Sequence, residues 1–556
     1  MPIENQVTYP LDEVVDFVVV GSGSAGGILA KELSTSGFSV VVLEQGPYRD
    51  AGDFTHDEFD VWINEGIAGG MPASNVQTFR DDENKVAEVL PDRNPAYYYE
   101  GVGGASVHFT GNFWRLREID FEERSALGSI QGTNFVDWPI AYEELEPYYT
   151  KVDWEIGVSG APGPFDSPRS RPFPVPPMPI KSSGVLLERG ASAIGLNAQP
   201  APLAILSQPH NGRPACINCG YCMGYGCEIG AKSSTLVAMI PQAIASGNCE
   251  IRPDCAVYNL EAGADGKIDE VQYIDPEGNQ RGQRTRAVVL AANGAETARL
   301  LLLSESSRYP DGLSNSSGYV GRNLMMNAHA MVHAVFEHPL NDYKGVQVTR
   351  IVHDLYESDP ERGFYGGGGF DARPFMAATP IWYSLAGQRP DGPQWGAEFK
   401  DRIAHNFTRH MVIVCSATSL PLDRNNITID PTYKDKYGRA SLRLTYRDHD
   451  DDLATARYMQ GFAEQMAEAA GAVEQWSPPV TPGRGGAHLL GTCRMGDDPE
   501  TSVVDRYHRS HDVSNLFICD GSSMVTSGRG QPTMTITALA FRAAEHIVAA
   551  ANNNEI

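Results

Sequence analysis

Four cysteines fall within twelve positions, in Cys216-Ile-Asn-Cys-Gly-Tyr-Cys-Met-Gly-Tyr-Gly-Cys227, which places Cys216, Cys219, Cys222 and Cys227 at C-x2-C-x2-C-x4-C spacing. Thiolates at such intervals can ligate an iron–sulfur cluster or a zinc ion. Glycines at 220, 224 and 226 let the backbone wrap a compact group and offer amides to sulfur. The competing reading is structural thiols or disulfides. The chain has nine cysteines, and one tight cluster among them reads as a metal site more than as a disulfide framework. A second set is Gly21, Gly23 and Gly26, in G-x-G-x-x-G spacing, with Glu44 beyond them. Such glycines allow a tight turn and close approach of a pyrophosphate to a helix N-terminus. A carboxylate about 20 residues on suits an adenosine ribose hydroxyl. A third set is the loop Gly101, Gly103, Gly104, followed by Ser106, His108 and Asn112. A loop with so little bulk lets backbone amides approach a flat or phosphorylated cofactor.

These residues need elements to position them. Phe17 to Val20 is an apolar run that reads as a buried parallel strand, Ile28 to Leu33 starts a helix, and Ser39 to Leu43 is a second strand ending at Glu44. The glycine motif therefore sits in strand–turn–helix–strand context, which makes it a dinucleotide site rather than a bare turn. Residues 50–96 read as polar surface excursions without chemistry, and the proline-rich stretch 161–182 as an extended connection. Ala231 to Ala243 reads as a helix and Cys249 to Val257 as a strand. Arg286 to Leu302 reads as strand, glycine turn and helix. Alternation in Met411–Cys415 and Ser441–Tyr446 predicts an antiparallel sheet. Asp450 to Ala470 reads as a helix whose acidic start suits the helix dipole, and Thr537 to Ala550 as a closing helix.

A chain of 556 residues is too long for one simple core, so two intertwined domains are expected. The net charge of −26 argues against nucleic acid and against anionic lipid. No run of about 18 apolar residues marks a transmembrane segment. The start, Met1-Pro-Ile-Glu-Asn-Gln, has no basic and no apolar region of a signal peptide. A cytoplasmic location is the simpler expectation.

Gly21–Glu44 together with Gly101–Arg115 resembles the glucose–methanol–choline (GMC) oxidoreductase family. Asp137-Trp-Pro-Ile-Ala-Tyr to Tyr149 resembles its bacterial sugar, glycoside and polyol dehydrogenase large subunits. The resemblance implies an α/β fold: a Rossmann-like FAD-binding domain interleaved with a substrate domain built on an antiparallel sheet with helices. The FAD domain would comprise 12–60, 95–130, 230–330 and 480–556. Residues 131–229 would form a connecting region and 331–479 the substrate domain. FAD would lie on the first glycine motif, with its ring near Gly103, Gly104, Ser106, His108 and Asn112 and its adenine beside Val257. Asp520, Gly521, Pro532 and Thr533 would complete the site, non-covalently; some relatives bond the flavin to a histidine placed like His108.

In the family's H-x-x-G-T-x-R-M-G motif the histidine faces the flavin's reactive nitrogen. His488 matches it, and Gln531 stands where the family has a His or Asn partner. Glutamine cannot titrate, so His488 is the expected general base, and its imidazole suits removal of a hydroxyl proton while the flavin takes the hydride. Cys216, Cys222 and Cys227 resemble the three ligands of a three-iron cluster, with one extra residue before the last and Cys219 added. The implied activity is FAD-dependent oxidation of an alcohol, with electrons leaving through a three- or four-iron cluster to a cytochrome or quinone-linked partner. A small export subunit would carry such an enzyme to the periplasm. Two alternatives stand beside it: an oxidase that makes H2O2, with the cysteines structural, and a non-catalytic flavin electron-transfer subunit.

Overall fold

Strand β1 (Val15–Val20) is apolar on both faces, as a central parallel strand must be. In the computed structural model, which describes residues 3–556 apart from 60, 62–74, 92, 375–382 and 385–386, β1 lies between two parallel neighbours. They are β2 (Val40–Leu43) and the C-terminal half of the long β8 (Gln280–Leu290). Strand β5 (Cys249–Arg252) pairs with β2, and β16 (Leu516–Ile518) pairs with β8, so five parallel strands run β5–β2–β1–β8–β16. The N-terminal half of β8 instead joins an antiparallel meander with β7 (Ile268–Ile274) and β6 (Ala256–Ala262). Helix α1 (Gly26–Thr35) covers this sheet and packs against the closing helix Thr533–Asn552. The parallel strands end at Gly21, Glu44, Ala291 and Asp520 along one sheet edge, the edge where open α/β sheets bind ligands.

The second sheet has six antiparallel strands in the order β15–β9–β12–β11–β10–β4. They are β4 (Ala198–Pro200), β9 (His329–Val335), β10 (Arg350–Val352), β11 (Gly368–Arg373), β12 (His410–Ala417) and β15 (Glu474–Trp476). One face, with Ala330, Val332, Phe370, Ile413 and Cys415, is apolar and packs on α4 (Ser182–Ala193) and the helix Asp450–Ala469. Alternation turns His329, His333, Asp371, Arg373 and Ser416 to the other face. A third sheet pairs β13 (Asn426–Lys434) with β14 (Ala440–Thr445), and β14 with β3 (Thr78–Arg80).

Several sequence expectations change. The stretch 231–243 is two short helices, α5 (Thr235–Ala238) and α6 (Ile240–Ala245), because Pro241 lacks the amide that would carry the first into the second. The strand expected over 249–257 is broken at Pro253-Asp254, where Asp254 takes φ +55° and β5 gives way to β6. The antiparallel sheet draws β4 from the stretch 131–229, and β3 comes from the supposed surface excursion 50–96, of which 60, 62–74 and 92 lie outside the described residues. The helix Thr533–Asn552 is long and apolar enough, by length and composition, to cross a bilayer. Its Leu539, Phe541, Ala544 and Ile547 are buried in the core, which accounts for that apolarity.

Just before the closing helix, Arg529 is buried among opposite charges. Its Nη1 donates to Asp120 Oδ1 at 3.0 Å and to Glu123 Oε2 at 2.9 Å, and Nη2 binds Glu123 Oε1. Its Nε donates to the carbonyl of Tyr356 at 2.7 Å. Tyr356 and Tyr365 donate to the same two carboxylates, each at 2.6 Å. Helix α2 (Ile119–Leu127), the segment joining β10 to β11 and the C-terminal loop thus meet at one guanidinium. Removing one side of a buried ion pair costs about 3–5 kcal/mol because the remaining charge has no partner. Arg529→Leu should therefore lower the thermal unfolding midpoint far more than Arg484→Leu, whose ion pair with Glu88 is exposed, and differential scanning fluorimetry reads both.

Candidate functional site

The two glycine loops touch backbone to backbone. A Cβ at Gly104, which has φ +60°, would lie 2.6 Å from Gly23 Cα; one at Gly21, φ +91°, would lie 2.5 Å from Ala291 O; one at Gly26 would lie 2.0 Å from Gly21 O. Only glycine backbones pack this closely. Ser22 joins the loops, accepting from the Gly103 N–H at 3.1 Å and donating through N–H and Oγ to Glu44 Oε2 at 3.0 and 2.8 Å. Gly46 N–H donates to Glu44 Oε1 at 3.1 Å. Burial pushes the Glu44 carboxyl above its usual range. Its Oε1, which accepts only the Gly46 N–H, keeps lone-pair capacity for a ribose hydroxyl.

Both ring nitrogens of His108 and Oδ1 of Asn112 are buried without a hydrogen-bond partner among the described residues. Burial, with Lys232 and Arg49 nearby, pushes His108 well below the ordinary imidazole range. Buried polar atoms of this kind call for a bound group, and a flat polar cofactor fits them. Ser106 Oγ is spent within its loop, on Gly103 O at 2.9 Å. Val257 lies on β6, and its carbonyl accepts from Arg439 at 2.7 Å. Asp520 accepts from Thr297 Oγ1 at 2.6 Å and from Ser522 N–H at 2.7 Å, and Gly521 O accepts from Gly491 N–H at 3.0 Å. Pro532 caps and Thr533 begins the closing helix, directly after Gln531.

His488 meets a residue that sequence reasoning missed. Its Nδ1 lies 3.0 Å from Asn327 Oδ1. Asn327 Nδ2 donates to Ala417 O at 2.9 Å and Gly528 O at 3.3 Å, so its amide is held with the oxygen toward the imidazole. That oxygen can only accept, so His488 carries its proton on Nδ1 and leaves a lone pair on Nε2. Burial, with His329 and Arg373 adding, pushes the imidazole down to about 3. His329 stands edge-on to His488 at 5.7 Å and is itself pushed down to about 4, burial first. Opposite His329 on the sheet is Ser416, against which Gly530 packs, so Gln531 approaches the same corner. Further along this face Arg373 Nε donates to Asp371 Oδ1 at 2.6 Å, and Asn112 donates to Asp371 Oδ2 at 3.4 Å. His329, Asp371 and Arg373 carried no sequence signal beyond strand alternation.

The cysteine loop lies against the second glycine loop. Gly224 N–H donates to His108 O at 2.7 Å, and buried Lys232 Nζ reaches Phe109 O at 3.2 Å, Tyr225 O at 2.8 Å and Cys222 O. All nine cysteines are free thiols. Amides of Asn218 and Lys232 point at the sulfurs of Cys216 and Cys227, at 3.3 and 3.5 Å. Cys222 is buried, which raises its thiol to about 12.

Close-packed glycine loops and a neutral, oriented histidine are parts that alcohol oxidation by flavin requires. The description GMC oxidoreductase matches residues 100–329 and 421–540. The chain belongs to the GMC oxidoreductase family. It is 34% identical to 2-methyl-1,2-propanediol dehydrogenase of Mycolicibacterium austroafricanum, covering 96% of this chain and 95% of that protein. It is 31% identical to the fructose dehydrogenase large subunit of Gluconobacter japonicus, over 96% and 97% of the two chains. In fold it is similar to pyridoxine 4-oxidase from Mesorbium loti, with a TM-score of 0.65 and 18% identity over 96% of this chain and 99% of that one. As a GMC oxidoreductase this chain is an FAD-dependent oxidoreductase of CH–OH donors. Gly104→Ala would drive a methyl group into Gly23. The variant is expected to fold yet to retain much less FAD per chain, measured by flavin absorbance after gel filtration.

Proposed function

We propose that this GMC oxidoreductase is a dehydrogenase of a sugar, glycoside or polyol, with His488 as general base and an electron exit through the cysteine loop. The observation that carries the base is the Asn327 amide, which fixes His488 with its lone pair on Nε2. Bound FAD supplies the acceptor for the hydride. His488 Nε2 takes the hydroxyl proton, and the depressed imidazole is already neutral at working pH, so it needs no prior deprotonation. Gln531 orients the substrate hydroxyl by hydrogen bonding. Arg373, beside the more deeply buried Asp371 on the same sheet face, presents donors for further hydroxyls of a polyhydroxy substrate. The relatives named for propanediol and fructose support a small hydroxylated substrate.

Cys216, Cys222 and Cys227 are the proposed ligands of an iron–sulfur cluster. Three cations surround the loop: the buried Lys232 beside Cys222 and Cys227, and the half-buried Lys181 beside Cys222 and Arg213 beside Cys227. That charge suits an anionic cluster of thiolates and offers nothing to neutral thiols. One zinc ion needs its sulfurs about 3.8 Å apart, and no three of these thiols lie within 4.8 Å of one another. A cluster spreads its ligands more widely and supplies a one-electron exit. Ile217, 60% exposed beside Cys216, puts an apolar contact at the surface end of the loop for a haem- or quinone-linked partner. The fructose enzyme's designation as a large subunit supports such a partner.

Two experiments test this. His488→Ala should slow substrate bleaching of the flavin by about a hundredfold or more. The wild-type kcat/KM profile should show no acid limb near pH 6.5, since the imidazole titrates far below it. Asn327→Asp sets a carboxylate beside the ring, favours its charged form, and should move an acid limb up toward neutrality. Separately, Cys222→Ser should lose the iron, about three or four atoms per chain, and acceptor reduction, while substrate still bleaches the flavin. Undiminished activity with O2 as acceptor and no iron in the wild type would make the chain an oxidase instead.

A further inference from the structure

His56, Cys219 and Glu228 come together from two separate segments, with one ligand atom of each within 4.8 Å of the others. His56 belongs to the excursion after β2, and Cys219 and Glu228 to the cysteine loop. His56 Nε2 lies 3.1 Å from Glu228 Oε2. An ion pair would account for those two. It would not account for a thiol converging on the same point, in a position where the cluster pattern of Cys216, Cys222 and Cys227 needs no ligand. The imidazole is also held in direction. It stacks flat on Tyr221, 4.1 Å between centroids and 9° between planes, and meets Tyr225 edge-on at 6.5 Å. Those contacts keep Nε2 aimed at the carboxylate. All three residues are half-buried, so an ion has a route in.

We propose that His56, Cys219 and Glu228 form a mononuclear site for a divalent transition metal of the zinc type, separate from the iron–sulfur ligands. The donor set decides the class. A thiolate is too soft for calcium or magnesium, and imidazole, thiolate and carboxylate together suit zinc. Three protein ligands leave a fourth position for water. Bond lengths of about 2.0–2.3 Å require donor atoms about 3.3–3.8 Å apart, so closure around the ion needs only a small inward movement of Cys219. On binding, Cys219 gives up its thiol proton to solvent and becomes the ligand. The ion would clip the excursion to the cysteine loop. Beneath this clasp Phe54 packs so closely that a Cβ at Gly226 would lie 2.0 Å from its ring, and the ring meets His108 edge-on at 6.4 Å. Metal occupancy would thereby stiffen the cover over the second glycine loop.

The inference does not depend on how the other three thiols are used, and the test separates the two. FAD-loaded enzyme is dialysed against a mild chelator and then against Zn2+, and flavin, iron and zinc are counted per chain. One zinc above the iron content is expected, with X-ray absorption giving one sulfur near 2.3 Å and nitrogen or oxygen near 2.0–2.1 Å. Loss of even an outer partner of a metal ligand costs 10–100-fold in affinity. Cys219→Ser and His56→Ala should therefore each weaken zinc binding by at least about a hundredfold, with flavin and iron unchanged. Glu228→Gln carries the test if either variant loses its flavin. Failure of the wild type to hold zinc, equal retention by the variants, or a zinc shell without sulfur would overturn the site. Loss of iron together with zinc in Cys219→Ser would assign Cys219 to the cluster and overturn it too.

Discussion

A guanidinium without water must be surrounded by counter-charges and acceptors, and Arg529 meets that demand with residues from two distant parts of the chain. Asp120 and Glu123 come from α2, and the Tyr356 carbonyl from the segment between β10 and β11. The loop that carries Arg529 cannot shift without stranding these charges. Its neighbour Gly528 holds the Asn327 amide, and the Asn327 oxygen holds His488. Two residues further on comes Gln531. The orientation of one imidazole is thus inherited, through one peptide link and two hydrogen bonds, from a buried ion cluster remote from it in sequence.

The second constraint is that a sheet has two faces. The β9–β12–β11 sheet spends one face on an apolar core under two helices, and its other face is left polar. In an ordinary protein that face would meet water. Here it meets the nucleotide-binding half, so its polar side chains become the lining of a site. Desolvation there lowers the tendency of the His488 imidazole to charge. The proposed chemistry needs a neutral base and a hydrogen-bonding wall, and both follow from this one placement.

Much of the nucleotide half was legible because it rests on local rules. Gly21, Gly23 and Gly26 between an apolar run and a helix can do little else, and Glu44 follows from strand length. His488 was legible through its motif. His329, Asp371 and Arg373 were not, because alternation along a strand says that a side chain faces away from the core without saying what it faces, and Asn327 lies in the segment before β9, where no pattern marks its side chain. The helix expected at 231–243 failed on Pro241, where backbone chemistry outweighed apolar periodicity. His56 was passed over because its partners lie more than 160 residues away, and no local pattern marks a contact of that range.

The order of strands along the parallel sheet has a consequence for how the chain is made. β1 is synthesised well before β16 and the helix Thr533–Asn552 that packs on α1. At roughly 5–20 residues per second, the nascent N-terminal half waits on the order of half a minute or longer for the pieces that cover it. During that interval α1 exposes Ile28, Leu29 and Leu33. Loss of β16 and the helix Thr533–Asn552 is therefore expected to leave an aggregation-prone product in place of a partly active enzyme.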